Sequence, residues 1–297
     1  MRYGSASAFR TALETRLLEH SGRSGMSLVR LRKSVVFSRL LARLLAVAPH
    51  RWVLKGGLAM DYRFGSRVRT TKDMDRASIG DEDVATEDLI AAQAVELGDY
   101  FNFEIDRTRQ LDEMDGARAV RYHVRCLLAG RLFEEGAIDV GFDLPEGWDP
   151  ELIEGPDLLG FADIDPVQAP TLPLELQVAE KVHAYTRGYG DSGASSTRVK
   201  DLIDLVLIGT GAELDAATLA RALKETFEQR GQHDVPTSLP EPPAQWATPY
   251  GVLAREVDLP PSLAGGFKAA SAMLDHVLGG TVTGGSWDRR QGRWGPP

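Results

Sequence analysis

Three apolar residues, Trp52-Val53-Leu54, run without a break into Lys55-Gly56-Gly57, and residues 58–64 (LAMDYRF) continue at helical spacing. This order of strand, paired glycines and helix constrains the fold more than any other feature. Glycines at a helix entrance adopt backbone angles closed to other residues and let the first N–H groups of the helix approach an anion. Arg67, Arg69, Thr70, Thr71 and Lys72 follow, and then Asp73-Met74-Asp75. On a strand, residues i and i+2 point to one face, so the two carboxylates converge. Converging carboxylates suit Mg²⁺, a hard cation that prefers oxygen ligands. The segment predicts acids for a metal beside a turn that accepts phosphate. Lys55, Arg67, Arg69 and Lys72 are near enough in sequence to neutralise a triphosphate. An Asp-x-Asp pair alone is more often a surface turn; the strand, glycines and helix before it give this one weight.

The rest of the chain divides in two. Residues 7–20 space Phe9, Leu13 and Leu17 as a helix does, and Ser27 reads as the N-cap of a second helix to about Ala48, stopped by Pro49. On that second helix Val36, Leu40, Leu41, Leu44 and Leu45 form the apolar side, and Arg30, Arg32, Lys33, Arg39 and Arg43 decorate the rest. An amphipathic helix is expected over 81–97 with Asp81 as its cap. Strands are expected over 101–107, 119–128 and 131–142. Ala129-Gly130 is too short for a crossover, so the last two strands form a hairpin. From 145 to 172 the sequence turns rich in Pro, Gly and Asp and reads as a hinge. Helices follow over 174–187, 197–209, 214–229 and 262–278, with a Pro-rich extended loop over 234–249. The Gly-rich tail from about 279 reads as mobile, or ordered only on a partner. The expected organisation is a mixed-sheet domain with basic N-terminal helices over 1–165 and a mainly helical domain over 166–297.

Composition excludes several classes. The single cysteine, Cys126, rules out an internal disulfide and a cysteine-built metal site, and a reducing cytoplasm fits best. No apolar run approaches the ~18 residues of a membrane span, and MRYGSASAFR has no signal-peptide core. The net charge of −9 conceals an asymmetry: residues 1–76 carry 16 Lys and Arg against 5 Asp and Glu. A basic N-terminal quarter on an acidic chain suits a polyanion such as RNA, although a solvated, arginine-rich helix face reads the same way.

Other residues extend the candidate site. Asp139, flanked by Ile138 and Val140, is a third strand carboxylate, with Asp106 as its competitor. Two metals bridged by three carboxylates activate a hydroxyl and stabilise a pyrophosphate leaving group. A charge at a strand end facing solvent is the plainer reading of Asp139. In the helix from 174, Gln177, Lys181 and Tyr185 share a stripe, leaving Val178, Ala179 and Val182 for the core. Lys181 then either reaches a triphosphate or is a surface lysine paired with Glu180 or Gln177. Arg198 and Asp201 are spaced for a plain ion pair, and Asp204 extends the same face. His183 reads as structural, with no second histidine near it in sequence. Arg121, His123 and Arg125 alternate on one strand face, suited to a phosphate backbone or to solvent.

These motifs together resemble the AbiEii-type nucleotidyltransferase toxins, which include the mycobacterial MenT toxins, within the DNA polymerase β-like superfamily. The resemblance rests on Lys55-Gly56-Gly57, on Arg69-Thr70-Thr71-Lys72-Asp73-Met74-Asp75 and on Ile138-Asp139-Val140-Gly141-Phe142. It extends to Gln177-Val178-Ala179-Glu180-Lys181 and to Arg198-Val199-Lys200-Asp201-Leu202-Ile203-Asp204. Gly57 stands where the wider superfamily has serine, and Arg76 where an apolar residue is commoner.

The resemblance implies an α+β fold: a nucleotidyltransferase domain with a mixed sheet flanked by helices, then a mainly helical C-terminal domain, with the active cleft between them. It implies Mg²⁺-dependent transfer of a nucleotide from an NTP to an RNA acceptor, the tRNA 3′ end as in the MenT-type toxins, which blocks translation. Asp73, Asp75 and Asp139 would hold the metal. Lys55, Gly56, Gly57, Arg69, Thr71 and Lys181 would bind the nucleotide, and Lys181, Asp201 and Asp204 would join the catalytic set. It further implies a cytoplasmic protein with a cognate antitoxin encoded nearby. Thr71 is a candidate regulatory phosphosite, because a phosphate there would repel the triphosphate. An Asp-x-Asp glycosyltransferase using a nucleotide sugar predicts repeated βα units, which are not seen. A haloacid-dehalogenase phosphotransferase predicts an apolar strand before its first Asp, where Thr70-Thr71-Lys72 stand here. An inactive RNA- or partner-binding module is the alternative outside enzymes.

Overall fold

The computed structural model describes residues 2–67, 74–78, 80–114, 117–142, 144–187 and 198–296. Two compact units emerge, one closing at Leu172 and the other opening at Pro173.

The first unit begins with α1 (Ala6–Ser24) and α2 (Leu28–Val47). Ser5 caps α1 through the amide of Ala8, and Gly25 ends it in the left-handed region at φ 72°. Ser27 caps α2 through the amide of Arg30 at 3.2 Å. Then come β1 (Trp52–Leu54), α3 (Gly56–Phe64), β2 (Met74–Ser78) and α4 (Glu82–Gln93), the last capped by Asp81 as expected. The unit continues with β3 (Phe101–Met114), β4 (Ala117–Leu128), β5 (Arg131–Gly141), β6 (Glu151–Glu154) and β7 (Gln168–Thr171). All seven strands form one mixed sheet in the order β3-β4-β5-β2-β1-β7-β6. β2 pairs parallel with β5 and antiparallel with β1, and β1 meets β7 in parallel at Leu54 and Thr171.

Burial explains this order. All three residues of β1 are buried, as a strand covered on both faces requires. Phe9, Leu13 and Leu17 of α1 join Leu40, Leu41 and Leu44 of α2, Tyr122 and Val124 of β4, and Ile138 and Val140 of β5 in one core. The hinge expected over 145–172 instead holds β6 and β7, which extend the sheet of the first unit, so that unit continues past residue 165 to Leu172.

The basic N-terminal helices also differ from expectation. Arg39 and Arg43 do not decorate the polar side of α2 but lie buried against Asp99. Arg30 pairs with Asp61 and Arg32 with Glu14. Arg10 donates to the carbonyls of Leu128, Arg131 and Leu132, which fastens α1 to the β4–β5 turn. Much of the positive charge read as a polyanion-facing surface is therefore spent within the unit.

The second unit contains α5 (Leu174–Thr186), α6 (Val199–Gly211), α7 (Ala216–Arg230), α8 (Ala247–Glu256) and α9 (Leu263–Leu278). α5 packs on α6 and α7, and α6 also on α8 and α9. Part of the Pro-rich stretch expected as an extended loop is a short 3₁₀ turn leading into α8. The tail expected as mobile forms a small hairpin of β8 (Trp287–Asp288) and β9 (Arg293–Trp294). Trp287 is buried and donates to the carbonyl of Gly209 at 2.7 Å, and Trp294 donates to that of Met273 at 2.9 Å. Among the described residues, no helix is long and apolar enough to cross a membrane.

Candidate active site

In the first unit the candidate site starts where β1 enters α3. Lys55 occupies the N-cap position in an extended conformation and forms no side-chain capping bond. Gly56 follows at φ 60°, a left-handed angle that costs any residue with a Cβ. Two arginines, one on α2 and one on α3 itself, tie α3 to its neighbours. Arg30 on α2 donates to Asp61 at 2.7 Å, and Arg63 donates to Glu151 on β6 at 2.6 Å and to the carbonyl of Leu172 at 2.8 Å. The C-terminal half of α3 is therefore tied to α2 and β6, downstream of the glycine turn.

The carboxylates come from adjacent strands. In the parallel pairing of β2 and β5, Asp75 is the register partner of Asp139. Asp106 lies on β3, separated from β2 by β4 and β5. With strands about 4.8 Å apart, that position is roughly 14 Å away. Sheet order thus sets Asp106 apart from the expected third carboxylate, and puts Asp139 beside the strand that carries Asp75. Arg69, Thr71 and Asp73 lie outside the described residues, as does the side chain of Asp75. Among the described residues, no three His, Cys, Asp or Glu side chains group as a metal site.

Asp139 has a partner that the sequence did not suggest. Arg121 on β4 is its register neighbour, and its Nε and Nη2 donate to the two carboxylate oxygens at 2.7 and 2.6 Å. Arg125 on the same strand reaches Glu104 at 2.5 Å, and His123 lies 3.9 Å from Glu135. The alternating basic residues of β4 therefore face acids on the neighbouring strands, and a phosphate-tracking face is not what the pairing favours.

In the second unit, Lys181 is buried rather than at the surface. Its Nζ lies 2.5 Å from Asp204 and 3.7 Å from Asp201, both on α6. Arg198 approaches Asp201 at 3.9 Å, and Glu180, the expected alternative partner of Lys181, lies 3.7 Å from Arg230 instead. The structure brings Lys181, Asp201 and Asp204 together from two helices, 20 and more residues apart in sequence. Gln177 and Tyr185, read as a polar stripe, are buried as fully as the apolar face. His183 does have a second histidine beside it: His233, from the segment after α7, at a ring separation of 4.7 Å. Phe227 stands edge-on to His183 at 4.9 Å, and Thr186 hydrogen-bonds His233. Burial and Arg187 hold His233 below the ordinary histidine pKa. This is an aromatic core cluster, which supports the structural reading of His183.

A strand, a diglycine helix entrance and an adjacent strand carrying Asp75 on a mixed sheet, with a Lys-Asp-Asp cluster on later helices, are the features of the nucleotidyltransferase class. The family model for the nucleotidyl transferase AbiEii toxin of type IV toxin–antitoxin systems matches residues 39–275, and the chain belongs to that family. Among solved structures, the chain is similar to the nucleotidyltransferase toxin MenT4 of Mycobacterium tuberculosis H37Rv. That match has 18% identity and a TM-score of 0.56, and covers 91% of this chain and 89% of that one. A putative nucleotidyltransferase from H. pylori matches at 16% identity and a TM-score of 0.50, covering 86% and 99%. None of the curated proteins matches the chain. At these identities the solved structures establish the fold, which is the α+β architecture expected from the motifs.

Proposed function

We propose that this chain transfers a nucleotide from an NTP to an RNA acceptor, the tRNA 3′ end, and thereby blocks aminoacylation and translation. The observation that carries the reading is the register of Asp75 against Asp139 on the sheet whose β1–α3 turn supplies the glycine entrance. Carboxylate oxygens are the ligand type that Mg²⁺ takes, so the donor set Asp73, Asp75 and Asp139 fits that cation. Bound there, the cation would stabilise charge on the phosphoryl oxygens. The acceptor 3′-hydroxyl forms a bond to the α-phosphorus, the α–β phosphoanhydride bond breaks, and pyrophosphate leaves. Asp139 takes up the hydroxyl proton. The amides of Gly56 and Gly57, with Lys55 and Arg69, orient the triphosphate. Lys181 supplies a cation that Asp201 and Asp204 hold in one geometry. A phosphate on Thr71 would place negative charge beside the metal carboxylates and silence transfer. The family implies an antitoxin, and the reading places the pair in the cytoplasm.

The test is incubation of the full chain with each labelled NTP, Mg²⁺ and total tRNA. Label on the tRNA 3′ end is expected, and its loss in Asp73→Ala and Asp75→Ala, each with unchanged circular dichroism. Absence of transfer with every NTP would favour a binding module, and transfer retained in both variants would remove the metal assignment.

A further inference from the structure

Asp139 is the one member of the proposed carboxylate set whose side chain lies among the described residues, and it is already engaged. Arg121 sits at the matching register position of β4 and spans both carboxylate oxygens in a two-pronged contact, while Asp75 sits at the matching position of β2 on the other side. The Asp139 side chain is 13% exposed and that of Arg121 27%, so the pair is only partly screened by water. A guanidinium fork fixes a carboxylate in a plane and also shares its negative charge. A cation approaching Asp139 therefore meets a carboxylate that is well oriented but part-neutralised.

We propose that Arg121 is the positioning residue of Asp139, holding its carboxylate in line with the Asp75 register and weakening its grip on the divalent cation. The inference rests on the proposed role of Asp139 as a metal ligand. Two opposite effects follow from one contact. Without Arg121, Asp139 gives its whole charge to the cation, so binding tightens. Without Arg121, Asp139 also loses its fixed plane, so turnover falls. A purely structural ion pair moves neither quantity once the protein is folded.

The experiment uses the full chain and Mn²⁺ alone as the probe, with free Mn²⁺ followed by electron paramagnetic resonance, for wild type, Arg121→Gln, Arg121→Lys and Asp139→Asn. Arg121→Gln is expected to bind Mn²⁺ about tenfold more tightly. Asp139→Asn is expected to bind more weakly, and Arg121→Lys to fall between wild type and Arg121→Gln because it keeps the charge but not the fork. In nucleotide transfer at saturating Mg²⁺, kcat of Arg121→Gln is expected to drop about 10–100-fold with KM for the NTP unchanged. If Arg121→Gln is misfolded by circular dichroism, Arg121→Lys carries the test through the same two readouts. Unchanged or weaker Mn²⁺ binding in the folded variant overturns the proposal, as does the absence of Mn²⁺ binding in wild type. Tightened binding in a wild-type background that transfers no nucleotide would keep the role of Arg121 toward the cation and remove the transfer reading instead.

Discussion

Asp99 accepts three hydrogen bonds from buried arginines, one from Arg39 at 2.7 Å and two from Arg43 at 3.0 and 2.6 Å. Burial pushes its carboxyl pKa up, but Arg43 and Arg39 together outweigh burial and hold it below the ordinary carboxylate range. The native pKa is thus lower than the unfolded one, near 3.9. The pair's contribution is complete well above pH ~4 and is lost as pH falls through the lowered native value. Asp99→Asn leaves two buried guanidiniums uncompensated and is expected to cost about 3–5 kcal/mol. It should also flatten the acid limb of a urea-unfolding profile against pH. A variant within ~1 kcal/mol of wild type at pH 7 would show that the arginines find other partners. The same reasoning applies to Lys181. Lys181→Ala removes the cation that lies 2.5 Å from Asp204, which is 1% exposed, and is expected to lose about 3–5 kcal/mol as well as activity. Lys181→Met with Asp204→Asn should recover much of the stability by thermal melting and none of the transfer. Recovery of both would make the cluster purely structural. The pairing of Arg39 and Arg43 with Asp99 was not legible in the sequence. Arg39 and Arg43 show only their i, i+4 spacing, and Asp99 lies more than 50 residues on. Helical spacing alone let Lys181 read as a surface lysine, and only the resemblance grouped it with Asp201 and Asp204.

Elements were more legible than partners, because caps and periodicity act locally. Ser27 and Asp81 were readable as N-caps, and both accept the expected amides. The β4–β5 hairpin followed from its two-residue connection. α8 was hidden by prolines, which read as loop although one is tolerated in the first turn of a helix. Pro249 stands at the third residue of α8. β6 and β7 were hidden because four-residue strands rich in Glu and Pro carry no apolar alternation. The candidate site's own element, the β1–α3 entrance, was readable because glycine pairs have few other uses between a buried strand and a helix. Its geometry gives a sharp prediction. Gly56→Ala places a Cβ at φ 60° and is expected to cost about 1–2 kcal/mol. The strain falls on the turn proposed to hold the triphosphate, so KM for the NTP should rise well beyond what the loss of stability explains. Steady-state kinetics beside a denaturation curve checks this, and an unchanged KM would remove the turn from nucleotide binding.

At the scale of the whole molecule, the two compact units were foreshadowed by the change from strand-rich to helix-rich pattern, while their exact edges depend on pairings between distant segments. The family match spans residues 39–275, so α1 and the C-terminal hairpin lie beyond it. Both are built into their units all the same. The tail reads as mobile because glycine dominates its composition, but composition does not show what two tryptophans can anchor. Trp287 and Trp294 stand edge to face at 5.5 Å, and each closes a backbone carbonyl of a different helix, Gly209 on α6 and Met273 on α9. The amide of Ala216 at the start of α7 also donates to Gly285 at 2.9 Å. Three helices of the second unit thus share one clasp. Removing residues 281–297 would strip that cover from buried surface, and Trp287→Ala alone is expected to cost about 3–5 kcal/mol. Scanning calorimetry should show the truncated chain and Trp287→Ala melting several degrees below wild type. Trp294→Ala should shift less, because that ring is only partly buried. A truncated chain that melts at the wild-type temperature would return the tail to a dispensable appendage. The intermediate result, a truncated chain that melts low while Trp287→Ala does not, would place the stabilisation in the backbone pairing of Asp215 with Ser286 rather than in the rings.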